Sequence, residues 1–134
     1  MKPDTAAASW FAKALDDLKW TEANIRESIF YGACFTAQQA VEKALKAYLL
    51  AHGKNVRKIH DISALLEECG KFDESLLHLR ETLLPLVDYY VQTRYPDAGD
   101  FIGYTKEKAE DALVRAREIL DGIQERLELK HTQS

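Results

Sequence analysis

Cysteine is scarce in this chain. Its 134 residues hold two, Cys34 and Cys69, too few for a disulfide framework or a cysteine-built metal cage, which points to a reducing cytoplasm. Three prolines and six glycines exclude a collagenous or linker-like chain. No run of about 18 apolar residues occurs, so no membrane span is expected. The opening MKPDTAAASWFAKALDD sets Lys2 before a short alanine patch with acids close behind, which is not a secretory signal. Neither sign of charge dominates: 18 basic against 22 acidic residues give a net charge of -4. That balance argues against broad, sequence-blind coating of nucleic acid and leaves room for a local basic site. What is abundant is apolar, at 46%, too much for a disordered chain. One domain over residues 1–134 is expected, ordered over about 5–129, and long enough to bury about two-thirds of its unfolded surface.

Helical periodicity dominates. Phe11, Ala14, Leu15, Leu18, Ile25 and Ile29 recur mainly at spacings of three and four, with Asp4 or Thr5 as N-cap. Ala33, Ala37, Ala40, Val41, Ala44, Leu45, Tyr48 and Leu49 form a second stripe whose small residues favour close helix approach. Gly32 marks the joint before that helix and Gly53 the C′ position after it. Asp61 caps a brief third helix carrying Ile62, Leu65 and Leu66, closed by Gly70. Asp73 opens a fourth, through Leu76, Leu77, Leu83, Leu84, Val87 and Val91, with a kink or restart expected at Pro85. That segment stops at Tyr95-Pro96. Thr105 caps the last helix, striped by Ala109, Ala112, Leu113, Ala116, Ile119, Leu120, Ile123 and Leu127, and fraying is expected after Leu129. No segment shows sustained strand alternation. The fold class is therefore all-α, an up-and-down bundle of about five helices.

Charge is unevenly placed. From Glu42 to His60 the basic residues Lys43, Lys46, Lys54, Arg57 and Lys58 face one acid, Glu42, so this stretch is +4 within an acidic chain. A basic patch running from a helix C-terminus into a loop ending at His60 can hold phosphate or another anion; equally, such cations complement the helix macrodipole. His60-Asp61 also suggests a metal-dependent phosphohydrolase pair. That chemistry needs a further upstream histidine, and His52 lies across a helix end, so Asp61 as N-cap is preferred. Cys34 has no base spaced to activate it and reads as a small core or interface residue. Tyr31, Tyr89 and Tyr90 read as packing residues, and His78 as a surface residue.

Three segments together carry a family resemblance: Gln38-Gln39-Ala40-Val41-Glu42-Lys43-Ala44-Leu45-Lys46-Ala47-Tyr48-Leu49, then His60-Asp61-Ile62 with Leu65, then Tyr89-Tyr90-Val91-Gln92-Thr93-Arg94-Tyr95-Pro96-Asp97. In that order and spacing the chain resembles the HEPN family from about Trp10 to Leu127. The resemblance implies an HEPN-like bundle that usually dimerises, binds nucleotide or RNA, and is often encoded beside a minimal nucleotidyltransferase in a toxin–antitoxin pair. No Gly-Ser plus paired-aspartate motif is present here, so that partner would be a separate polypeptide. No cofactor or metal is implied.

Many HEPN proteins are also metal-independent ribonucleases using Arg, four to six residues, then His. The imidazole moves a proton and the guanidinium steadies the phosphorane. Arg94 is the natural arginine, but Gly99, Asp100 and Phe101 stand where the histidine belongs. Arg126 and His131 have the spacing at a polar chain end and are read as a chance match. Arg94 and His60 remain the catalytic candidates, and a purely structural interaction subunit is the further alternative.

The expected ligand set lines a groove between two subunits: Lys46, Arg57, His60, Arg94, Tyr95 and Asp97. Arg94 would meet phosphate bidentately or hydrogen-bond its own helix end. Tyr95 would stack on a base or cover the bundle end. Asp97 would orient Arg94 or stiffen the turn after Pro96.

Overall fold

Twenty-two residues with only three charges make the axis of the molecule. This helix, α2 (Phe30–Ala51), is flanked by α1 (Lys2–Arg26) and α3 (Ile62–Gly70). A 3₁₀ turn (Glu74–Leu79), a short α4 (Arg80–Leu83) and a second 3₁₀ turn (Leu84–Leu86) follow, and α5 (Lys106–Gln133) closes the chain. The computed structural model describes residues 2–56, 58–89 and 103–133, with the side chains of 2–4 and 129–133 left aside. Five α-helices and no strand occur among the described residues, the all-α bundle expected.

The anticipated α2 stripe is buried in full: Ala33, Ala37, Ala40, Val41, Ala44, Leu45, Tyr48 and Leu49 all belong to the core. Burial wraps nearly the whole helix, because α1, α3 and α5 each pack against it. The small residues expected to favour close helix approach are thus covered within one chain. Alongside α1, the Thr21 and Thr36 hydroxyls meet at 2.7 Å, and each bonds a carbonyl one turn back, of Asp17 and Gly32. Lys43 crosses the same seam to Asp17 at 2.6 Å.

The boundaries follow local chemistry, with some shifts from expectation. Asp61 accepts the Ser63 amide at 2.9 Å, Asp73 that of Ser75 at 3.0 Å, and Thr105 that of Lys108 at 3.1 Å. Gly53, at φ +79°, ends α2 as a C′ glycine should. The joint between α1 and α2, expected at Gly32, lies instead at 27–29, where Ser28 takes the left-handed conformation at φ 62°. Gly32 sits inside the first turn of α2, where a Cβ would press on Ile29 and Asn24. Asp4 and Thr5 lie within α1, which begins at Lys2. Leu15 and Ile29, expected inside, are about 40% exposed. The fourth segment is broken into 3₁₀ and α pieces around Pro85, the restart that proline predicts. The α5 backbone stays helical to Gln133, beyond the expected fraying point.

Candidate functional site around Glu42 and His60

Gln38, Glu42 and Lys46 follow one another at four-residue spacing, which places them along one face of α2. All three are buried, in a helix otherwise lined with alanine and leucine. At the lower end of this stripe the Lys46 ammonium donates to Glu42 Oε2 at 2.8 Å, with the two side chains only 3% and 8% exposed. The same ammonium lies 5.6 Å from the centre of the Trp10 ring, a cation–π contact that shields it further. His60, on the loop before α3, brings Nδ1 to Glu42 Oε2 at 3.0 Å and keeps its side chain 55% exposed. Glu42 Oε1 is buried without a hydrogen-bond partner among the described residues, an omission that costs about 1–3 kcal/mol. The result is a relay from core to surface: indole, ammonium, carboxylate, imidazole.

Of the expected ligand set, the structure brings Lys46 and His60 together, through Glu42. Arg57, Arg94, Tyr95 and Asp97 lie outside the described residues, as does Tyr90. The chain segment holding Arg94, Tyr95 and Asp97 is bounded by Tyr89 and Tyr104, both buried, with ring centres 5.9 Å apart. Tyr89 rests beside Cys34, one turn of α2 above Gln38. Burial pushes the Cys34 thiol up to about 12, against the pull of Lys108 and a hydrogen bond from Tyr89. A thiol held protonated in this way is inert, the core residue expected.

Three of the five cations in the +4 stretch are drawn into ion pairs. Lys43 pairs with Asp17, Lys46 with Glu42, and Lys54 with Glu68, which also holds Lys71 at 2.8 Å. Two of those acids come from outside the stretch, so a count along the chain misses them. Lys58, two residues before His60 in the loop, stays exposed. The His52 ring stacks on Phe72 at 4.5 Å and meets Tyr48 at 4.5 Å, while Asp61 caps α3. No group of three metal-ligating side chains occurs among the described residues. Arg126, half of the spacing match with His131, binds Asp73 at 2.9 Å and the Ser75 hydroxyl at 2.8 Å, which ties α5 to the first 3₁₀ turn. The His131 side chain lies outside the description.

Glu42 and Trp10 are the participants that sequence reasoning did not single out. The available signal was a charged i, i+4 pair inside a helix too apolar to have a wet face.

The HEPN domain profile matches residues 7–127. A Methanocaldococcus jannaschii protein named as a candidate toxin is 28% identical, across 93% of this chain and 90% of its own length. The crystal structure of TT1696 from Thermus thermophilus superposes with a TM-score of 0.79 at 34% identity, covering 89% of this chain and 96% of that one. ST0689, described as an archaeal HEPN homologue, gives 0.74 at 27% identity, with 90% and 96% covered. Among the described residues no helix is long and apolar enough to cross a membrane.

Proposed function

This chain belongs to the HEPN domain family, and on that premise we propose that it is a nucleotide- or RNA-binding subunit. In this reading it works in the cytoplasm as a homodimer, the toxin-like member of a pair whose other member is a separately encoded minimal nucleotidyltransferase. The relative named as a candidate toxin supports the pairing. The observation that carries the binding reading is the surface left after the ion pairs form. Lys58 is exposed two residues before half-exposed His60, whose ring meets Glu42 of the buried Glu42–Lys46 pair. Such a loop offers a phosphate a cation and a ring donor.

The family resemblance is what adds Arg94, Tyr95 and Asp97, which lie outside the described residues.

Fluorescence anisotropy with labelled single-stranded RNA and with ATP and GTP, at low and moderate salt, tests the reading. Lys58→Ala and Arg94→Ala are expected to weaken binding about 3- to 10-fold each and to flatten its salt dependence. Variants that bind as the parent does would remove this surface from the reading. Light scattering at micromolar concentration tests the dimer, and co-purification with the neighbouring gene product tests the partner.

A further inference from the structure

Scattered exposed apolar side chains are ordinary on a folded surface, but Phe72 is held in a particular way. Its ring is 45% exposed and stacks on His52, with centres 4.5 Å apart and planes 25° from parallel. His52 in turn meets the buried Tyr48 ring at 4.5 Å. Three rings thus lead from the core to solvent, and the outermost is an aromatic surface on a fixed base. The backbone beneath it is fixed as well. The Lys71 amide bonds the Glu68 carbonyl at 3.2 Å, and the Phe72 and Asp73 amides bond that of Cys69 at 3.0 and 3.1 Å. A ring so held loses little freedom when a ligand covers it. Charge lies close by. Glu68, in the last turn of α3, accepts both Lys54 and Lys71, so two ammoniums share one carboxylate and one positive charge is in surplus. On the other flank Asp73 is committed to Ser75 and Arg126. The Lys54–Glu68 pair also sets the course of the basic loop, which starts at the last turn of α3 and ends at Asp61, the cap of its first. Lys54 and Lys71 therefore stand at the Phe72 end of α3, and exposed Lys58 comes three residues before the cap at the other, about 12 Å away along the helix.

We propose that Phe72 is the stacking surface for an unpaired nucleobase, with Lys71 and Lys54 holding the phosphate beside it. This rests on the nucleotide- and RNA-binding reading above and gives it a second contact point, at the far end of α3 from His60. Every base has a π-face, so one open ring accepts bases with little regard to sequence. Two ammoniums with a single carboxylate between them attract phosphate oxygens. The same lysines disfavour a protein side chain as the occupant, because lysine is depleted at the cores of protein interfaces. His52 contributes only a ring face, and none of its nitrogens is called on. The base can come from an RNA strand or from a free nucleotide, since both present the same face and the same phosphate.

The test is fluorescence anisotropy on the full chain with a labelled oligoadenylate RNA and with the same ribose-phosphate strand lacking its bases. The wild-type chain is expected to bind the RNA about 10-fold more tightly than the baseless strand. Phe72→Ala is expected to lose about 10-fold on RNA, one base's worth of stacking, at low and moderate salt alike, and nothing on the baseless strand. Lys71→Ala is expected to lose about 3-fold on both strands, a loss that shrinks as salt rises. Phe72→Trp keeps a stacking face, so it should bind as the parent does, with its indole emission quenched by RNA. Competition by ATP that disappears in Phe72→Ala supports the proposal with a free nucleotide as the source, and competition by RNA alone supports it with a strand. Circular dichroism confirms that each variant is folded. RNA binding unchanged in Phe72→Ala overturns the proposal while the binding reading stands, and so do equal losses on the two strands. Loss of a co-purified partner protein in Phe72→Ala with RNA binding intact assigns the ring to a protein contact and overturns it too. A chain that binds neither RNA nor nucleotide fails both readings at once.

Discussion

Two polar seams run along α2, and they are built on opposite principles. In one, Thr21 and Thr36 bond each other and the backbone, a neutral contact that closes on itself beside the Lys43–Asp17 pair. In the other, which reaches α1 at Trp10, Glu42 and Lys46 bury opposite charges, leave one carboxylate oxygen unpartnered among the described residues, and end at an imidazole half in solvent. The first seam serves assembly: it specifies how two helices meet and asks nothing further. The second costs more than it returns within the fold, and such sites are where function is expected.

Breaking one charge should separate the seams most sharply. Lys46→Met strands Glu42 in the core and is expected to cost about 3–5 kcal/mol in urea unfolding, whereas the double change with Glu42→Leu should restore most of that loss. A double variant as unstable as the single one would make the pair a stabilising element and erase the contrast. Thr21→Val should cost only about 1 kcal/mol, because Thr36 keeps its bond to the Gly32 carbonyl. A loss as large as that of Lys46→Met would put the two seams in one class.

The smallest effect is expected at a third, exposed polar contact. Hydrogen bonds from the Ser75 hydroxyl and amide, with Arg126 alongside, hold the Asp73 carboxyl below its ordinary value of 3.8. A carboxyl depressed in the folded state contributes stability above its unfolded value and loses it as pH falls through the folded one. Stability should therefore drop below about pH 4, and Asp73→Asn should make that acid limb shallower. Thermal melts between pH 2 and 7 give the slopes, and parallel limbs would remove Asp73 from the linkage.

Much of the scaffold was legible because its signals are local. Asp61, Asp73 and Thr105 cap the elements they were expected to cap, Gly53 ends α2, and Pro85 breaks the fourth segment. Leu15 and Ile29 fit a helical period yet face outward, since a period alone does not say how wide the covered face is. The site was legible only in fragments. Lys46 and His60 were named for their charge, but what joins them is Glu42, eighteen residues from His60. Charge summed along the chain also misjudged the patch, because Asp17 and Glu68 arrive through folding. Pairings over such separations leave no periodic mark.

The contact between Tyr89 and Tyr104 has a bearing on how the molecule tolerates change. Their tilted rings, in contact, staple the two ends of a stretch of chain at one spot on the bundle wall. Truncating one of them, as in Tyr104→Ala, should leave its partner without that cover and cost about 3 kcal/mol.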